Sequence, residues 1–323
     1  MVHAIRIHET GGPEVLRWDE VEVGAPGPGE ALVRQTAIGL NFIDTYHRSG
    51  LYPLALPAIL GSEAAGVVEA VGEGVGDVHP GDRVAYAGPV GAYAEARLIA
   101  ADRLVPIPHE VDDRLAAALL LKGMTAQYLL RRTHRVSPGE TILFHAAAGG
   151  VGRIACAWAK ALGATVIGTV GSDEKAEVAR KGGCDHVVVT SRESIAESVR
   201  EITRGKGVRV VYDSVGKDTW EASLDSLSPL GLLVSFGNSS GPVPPFSPLV
   251  LARKGSLFLT RPTLQTYTAS RSDLLATAAD LLDALRAGEV TADLPRTYPL
   301  REAARAHADL EGRRTTGSAV LLP

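Results

Sequence analysis

Cysteine is scarce: two occur in 323 residues, Cys156 and Cys184, and they form no C-x-x-C pair. Two isolated thiols build neither a disulfide framework nor a thiolate zinc site. Long apolar runs are missing as well. No stretch reaches the roughly 20 residues that a bilayer span needs, so no membrane partner is expected. The opening residues, MVHAIRIHET, have no apolar core of a secretory signal, and a cytoplasmic setting is the expectation. Basic runs are absent, and the formal net charge is −4. A nucleic-acid partner would want a basic surface, so none is expected.

What remains is ordinary globular material, 45% hydrophobic and 22% charged. The length suits one large domain or two ordinary ones. One stretch organises the reading: residues 140–163, ETILFHAAAGGVGRIACAWAKALG. Thr141 to His145 is apolar and β-leaning, and Ala146 to Gly152 has mostly small side chains. Val151 to Leu162 is apolar at helical spacing, and Gly163 stops it. This is the sequence form of a dinucleotide-binding strand–turn–helix, here A-x-x-G-x-x-G at Ala146, Gly149 and Gly152. A pyrophosphate needs backbone N–H groups at a helix N-terminus with no Cβ in the way, which Ala148, Gly149, Gly150, Val151 and Gly152 would supply. On pattern alone, a glycine-rich connector is the alternative.

Residues 1–108 show short β-rich runs split by glycine and proline clusters, the texture of a compact, partly open β-barrel. Residues 112–135 read as a helix interrupted at Gly123. From 140 onward strands and helices alternate: strands at 141–146, 165–170, 186–190, 208–213, 231–236 and 255–260, with helices at 151–162, 173–181, 193–204 and 218–228. That rhythm predicts an α/β fold with a doubly wound parallel sheet. An amphipathic helix at 271–287 follows. The last strand, 318–322, has no helical partner and is expected to return to the N-terminal β domain.

The chain resembles the zinc-free quinone oxidoreductase (zeta-crystallin-like) family of medium-chain dehydrogenases/reductases. The resemblance rests on AIGLNFIDTYHRSGLYP (37–53), LGSEAAGVVEAVG (60–72), GDRVAY (81–86), LKGMTAQYLL (121–130), FHAAAGGVGRIACAWAKALGA (144–164), VRVVYDSVG (208–216), VSFGNSSG (234–241) and KGSLFLTRP (254–262). It implies a discontinuous GroES-like catalytic domain (1–122 and 264–323), a Rossmann domain (123–263), NADPH, and usually a homodimer. The free edge of strand 255–260 would suit pairing with a second copy. Two departures stand out: Ala157 replaces a signature Gln, and Thr190 stands where a Tyr often helps to bind the adenosine phosphate.

Candidate site residues follow. An NAD-specific site ends its second strand in a carboxylate. Here that strand ends in Gly171 and Ser172, and Lys175 lies one turn on, where an ammonium could meet a 2′-phosphate. The alternative is a solvated surface lysine, and Asp173 is an awkward neighbour for a phosphate. Zinc-dependent relatives use Cys and His ligands. This chain has Gly61-Ser62-Glu63 at the corresponding place and no cysteine before 156, so zinc is not expected. Without a metal to stabilise an alkoxide, the expected chemistry is hydride transfer to activated acceptors, quinones or enones. Asn41, Asp44, Tyr46 and Tyr52 would form the substrate side; turn and packing roles are the alternative, since N-F-I-D also reads as a polar loop. By the resemblance, Asn41 and Tyr46 line the nicotinamide and acceptor site, and Thr125 sits beside the nicotinamide. Ser214 and Phe236, Gly237, Asn238 and Ser239 follow later strands, where ligands of such sheets bind. Arg261 would reach the acceptor carbonyl or form a surface salt bridge. From a different class, zeta-crystallin-like proteins also serve as structural or RNA-binding proteins, which the negative charge disfavours.

Overall fold

The computed structural model describes residues 1–291, 294–312, 314–315 and 317–323. The chain divides into two compact units. One comprises Met1–Lys122, Thr268–Ala278 and Ala292–Pro323; the other comprises Gly123–Tyr267 and Ala279–Thr291. Residues 279–291 thus group with the second unit.

The first unit is built on the long strand Glu30–Leu40. Its buried positions alternate at Ala31, Val33 and Gln35 and then become continuous from Ala37 to Leu40. Such a strand has one solvated face at its start and none at its end. Three antiparallel neighbours satisfy it: Glu63–Val71 along most of its length, Ala96–Ala100 over residues 30–34, and Ala319–Leu322 over residues 38–40. The returning C-terminal strand therefore joins the N-terminal sheet, as expected. It pairs in parallel with Arg296–Pro299 on its other side. A separate three-stranded sheet orders Arg17–Val21, Val2–Ile7 and Ala58–Ile59. The core between these strands holds Ile5, Ile7, Val33, Ile38, Leu60, Tyr86, Tyr93, Leu104 and Leu321. Each such aliphatic side chain contributes about 1.5–3 kcal/mol by leaving water.

The second unit is a six-stranded sheet, every pairing parallel, in the order His186–Val189, Thr165–Val170, Thr141–Phe144, Val208–Asp213, Leu227–Ser235, Phe258–Thr260. Ranked along the chain this is 3-2-1-4-5-6, the Rossmann order. The order reverses between Thr141–Phe144 and Val208–Asp213, so the carboxyl ends of these two strands flank the crevice where ligands of such sheets bind. Leu143, Ile167, Val188, Val211 and Leu233 face a core shared with Val199, Trp220 and Leu224.

Three sequence readings need correction. Residues 41–44, for which a polar loop was the alternative reading, open the helix Phe42–Ser49, with Asn41 as its N-cap. Gly123 does not interrupt its helix, which runs from Asp113 to Tyr128 and closes in a π-helical turn at Leu129–Thr133. A Cβ at Gly123 would stand 2.4 Å from both methyls of Leu281, so this glycine is a packing notch rather than a break. The last parallel strand is three residues, Phe258–Thr260, not six. Ser256, which precedes it, has a positive φ of 56°, and Gly255 one of 113°. Neither is an extended conformation, and the strand starts only beyond them.

The turn after Thr141–Phe144 contains one strained residue. Ala146 has φ +52°, where L-residues with a Cβ lose roughly 1 kcal/mol relative to glycine. The geometry leaves it no choice: Gly149 N–H donates to Ala146 O at 2.8 Å and Ala147 N–H to Thr169 O at 3.0 Å. Ala146→Gly relieves that strain while adding unfolded-chain entropy, so we expect a net gain of up to about 1 kcal/mol. Urea denaturation checks this, and a destabilised variant would refute it.

Candidate active site

In the parallel-sheet unit, the helix Gly150–Ala161 starts directly at the crevice, with Gly149 as its N-cap. The N–H groups of Gly150, Val151 and Gly152 have no acceptor inside the helix, as at any helix start. A Cβ at Gly152 would lie 2.3 Å from Ala146 O and 2.8 Å from Ala147 O. Only glycine lets strand and helix approach this closely. Gly171 ends the next strand, and a Cβ there would meet nothing within 4 Å, so the tip is open. Ser172 caps the helix Asp173–Lys181, its hydroxyl accepting from Lys175 N–H at 3.4 Å. These features fit a dinucleotide: donors at a helix start, a bare turn, and an open second strand tip with no carboxylate at its end.

Around that tip, Lys175 is half-buried and Thr190 is tied to Val170 O through both its N–H (2.9 Å) and its hydroxyl (3.2 Å). The awkward Asp173 is ion-paired with Arg192. That pairing offsets the acid's charge and brings a second cation to the first turn of the Asp173–Lys181 helix. Sequence reading missed Arg192, because it lies 19 residues from its partner in an exposed turn with no pattern of its own.

The crevice's other wall is a buried polar network. Asp213 ends its strand and accepts from the N–H groups of Val215 (2.8 Å) and Gly216 (3.0 Å) and the hydroxyls of Thr219 (2.7 Å) and Ser223 (2.6 Å). Burial pushes its carboxyl up, but His145 and these hydrogen bonds outweigh that and hold it below the usual carboxylate range. His145 is wholly buried, and burial keeps its imidazole neutral. The Ser223 proton is spent on Asp213, so Ser223 accepts from His145 Nε2–H at 2.9 Å, and Nδ1 accepts from the Thr169 hydroxyl at 2.9 Å. The network shapes the turn carrying Ser214. Ser239 N–H donates to Ser214 O at 3.2 Å, and Phe236 N–H to Asp213 O at 2.7 Å, so the loops holding Ser214 and Phe236–Ser239, with Gly237 and Asn238 between, are laced together. A Cβ at Gly237 would lie 2.5 Å from Ser214 O. Arg261 donates to Gly237 O at 3.3 Å and so braces this loop. Thr125 is buried on its helix, one turn before Tyr128, whose ring stacks on Tyr267 at 4.6 Å.

In the first unit, the helix Phe42–Ser49 is short and depends on its cap. Asn41 and Asp44 form its capping box, with Asn41 N–H donating to Asp44 Oδ2 at 2.9 Å. Asp44 also accepts from Ser62 Oγ (2.9 Å) and Tyr93 Oη (3.0 Å) and has no exposed surface. This makes it a buried anchor rather than a substrate-facing group. Asn41 Nδ2 donates to Glu63 Oε2 at 2.9 Å, and Lys122 Nζ lies 3.5 Å from the same oxygen. Tyr46 and Tyr52 are half-buried on the same helix and the turn after it, their rings 5.3 Å apart and edge-on.

Sequence reading missed the groups behind Asp44. Tyr93 Oη meets His307 Nε2 at 3.0 Å, and Arg48 donates to His307 Nδ1 at 3.0 Å and to Glu311 with both terminal nitrogens, at 2.9 and 2.7 Å. Arg48 has only donors, so Nδ1 accepts and Nε2 carries the proton. Burial, with Arg48 alongside, pulls the His307 imidazole down to about 3. Among the described residues no three His, Cys, Asp or Glu side chains converge as a metal-binding group, and no helix is long and apolar enough to cross a membrane.

A GroES-like domain model of alcohol dehydrogenases matches residues 27–109, and a model described as zinc-binding dehydrogenase matches residues 150–284. Over their full lengths, the chain is 55% identical to a quinone oxidoreductase of Pseudomonas aeruginosa. It is 52% identical to a 2-haloacrylate reductase of a Burkholderia species, covering 100% of this chain and 99% of the relative. The solved structure of Escherichia coli quinone oxidoreductase complexed with NADPH superposes with a TM-score of 0.98 at 50% identity, over 99% of this chain and 100% of that one. Fold and crevice define a medium-chain dehydrogenase/reductase. Within that class, the chain belongs to the quinone oxidoreductase family.

Burial pushes the Asp44 carboxyl up to about 7, against hydrogen bonds from Ser62, the Asn41 N–H and Tyr93 and the charge of Lys122. A carboxyl raised in the folded state favours folding while it is protonated. That contribution is complete below the unfolded value near 4 and lost as pH rises through about 7. We therefore expect the fall in unfolding free energy between pH 5 and 8 to be shallower in Asp44→Asn, by up to about 1.4 kcal/mol per pH unit. Identical slopes in chemical denaturation would contradict it.

Proposed function

We propose that the protein is an NADPH-dependent reductase that passes hydride to quinones without a metal. The observation that carries the reading is the crevice itself: a bare helix start, an open strand tip followed by a helix whose first turn holds Lys175 and the Arg192-paired Asp173, and full-length similarity to quinone oxidoreductases, one solved with NADPH. NADPH, when bound, supplies the hydride. The chain's own residues do the rest. Helix-start N–H groups of Gly150, Val151 and Gly152 hold the pyrophosphate. Lys175 and Arg192 meet the 2′-phosphate, and Thr190 and Ser172 lie beside it. The laced loops at Ser214 and Phe236–Ser239, braced by Arg261, and Thr125 on its helix bound the nicotinamide. Asn41 offers an amide N–H to a carbonyl oxygen, and Tyr46 and Tyr52 offer planar faces to a ring. Glu63, whose carboxylate faces an asparagine and an ammonium, is not part of a metal-ligand set.

A second reading has its own support. The Burkholderia relative is a 2-haloacrylate reductase, so an activated C=C bond is the alternative acceptor on the same scaffold. Stopped-flow NADPH oxidation against a panel of quinones, enones and 2-haloacrylates decides between them. Turnover fastest with quinones is expected; turnover confined to activated alkenes overturns the main reading. In the same assays, Lys175→Ala should weaken NADPH about 10- to 100-fold and leave NADH nearly untouched, the loss of one charged contact. Equal losses for both cofactors would remove Lys175 from the phosphate site.

The protein also works as a homodimer in this reading, joined through the edge strand Phe258–Thr260. Phe258 on that strand is 58% exposed, an apolar side chain at a sheet edge, and Leu230 on the neighbouring strand is 53% exposed. Light scattering should give about twice the 33.9 kDa chain mass and fall to one chain mass in Phe258→Lys. A monomeric native protein would refute the assembly.

A further inference from the structure

Asn41 is gripped by buried charge on two sides. Its backbone N–H is bound to Asp44 and its side-chain amide to Glu63. The amide's direction matters, because Nδ2 donates and Oδ1 accepts. An ionised carboxylate can only accept. While Glu63 is ionised, therefore, Asn41 must turn Nδ2 toward it. A protonated Glu63 can donate as well, so it no longer fixes which end of the amide faces it, and the capping contact from Asp44 N–H to the Asn41 side chain is left to hold the amide's direction.

The group that decides Glu63's state is Lys122. Both side chains are buried, Glu63 completely and Lys122 with 7% of its surface exposed. Lys122 Nζ lies 3.5 Å from Glu63 Oε2 and 3.4 Å from Leu40 O. Glu63 Oε1 accepts from Leu121 N–H at 2.6 Å. The space for the pair is made by Gly39, where a Cβ would stand 2.4 Å from Glu63 Oε2 and 2.3 Å from Ala117 O. Burial pushes the Glu63 carboxyl up; Lys122, the Asn41 amide and the Leu121 N–H pull against it. The other carboxylate at Asn41 is Asp44, held by Ser62, Tyr93 and Asn41 N–H and also within the field of Lys122. Beyond Tyr93 stand neutral His307 and Arg48, and Arg48 is paired with Glu311.

We propose that Lys122 is a positioning residue of the reductase reaction: its ammonium holds Glu63 as the acceptor of the Asn41 amide and thereby fixes the amide's second N–H as a donor for the ligand. This rests on the reading of Asn41 given under Proposed function. Lys122 itself touches no reacting atom. It works through Glu63, so removing its charge matters only while Glu63 can gain a proton.

The test starts with the ligand-free protein. Carboxyl ¹³C of labelled glutamate, with Glu63 assigned through Glu63→Gln, is titrated in native, Lys122→Met and Lys122→Arg protein. The Glu63 midpoint should rise by more than about one pH unit in Lys122→Met, the effect of losing an adjacent buried charge. Lys122→Arg, which keeps the charge, should stay between the two. In quinone reduction, Lys122→Met should lose about tenfold or more in kcat at pH 7, with NADPH affinity changed less than about threefold. Its acid limb in kcat should move up with the carbon titration. Lys122→Met/Glu63→Gln should match Glu63→Gln alone. That comparison also stands if Lys122→Met does not fold, since the double variant buries no unpaired charge. An unmoved Glu63 midpoint, or losses that add in the double variant, would overturn the proposal. Native protein that turns over no quinone, with the midpoint shifted as expected, would sink the quinone reading and leave the coupling of Lys122 to Glu63 standing.

Discussion

The contact between Gly152 and the Ala146–Ala147 backbone is the constraint from which the nucleotide half of the protein follows. With 2.3 Å between a would-be Cβ and Ala146 O, strand and helix fit together only if residue 152 has no side chain. That closeness aims the helix start at the strand's carboxyl end, where the sheet order reverses. In the same turn Ala146 takes the left-handed region, a local strain of the kind that functional sites carry when the surrounding structure holds it in place. Here the holding is done by hydrogen bonds from Gly149 and Ala147.

The two halves use buried polarity in different ways. In the parallel-sheet unit, Asp213 gathers neutral donors, two backbone and two hydroxyl, and stays ionised well inside the protein. In the β-rich unit, two carboxylates and one ammonium surround a single asparagine, and burial outweighs the attraction for both acids. A fully donor-satisfied carboxylate is a rigid fixture. A carboxylate whose burial is only partly offset responds to small changes in its neighbours.

The nucleotide half was the more legible in the sequence, for a physical reason. The strands 165–170 and 208–213 and the helix 173–181 are placed as their local patterns indicate, because burial on both faces writes continuous apolar runs and caps write polar ones. The glycine turn is local too. What escaped was non-local. The helix Phe42–Ser49 is short, and its signals lie at its ends: Asn41 and Asp44 at capping-box spacing, and Gly50 as its C-cap. Gly123 reads as a break, but its reason is Leu281, far along the chain. Arg192, Tyr93, Lys122 and His307 join the candidate site through contacts that span from 19 to 214 residues of chain, and nothing in their immediate neighbours announces them. Lys175 was legible from the strand end that lacks a carboxylate, and Asn41 and Tyr46 through family resemblance; the residues that hold Asn41 in place were not legible.

The chain of contacts from Arg48 through His307 and Tyr93 to Asp44 runs in one sense only. Arg48 has no lone pair to offer, so every hydrogen along the line points toward Asp44. A line that can carry protons must be able to reverse each link in turn, and this one is latched at its outer end by a guanidinium that does not deprotonate. The line behind Asp44 is therefore closed to proton relay. The proton that completes a reduced quinone does not travel along it.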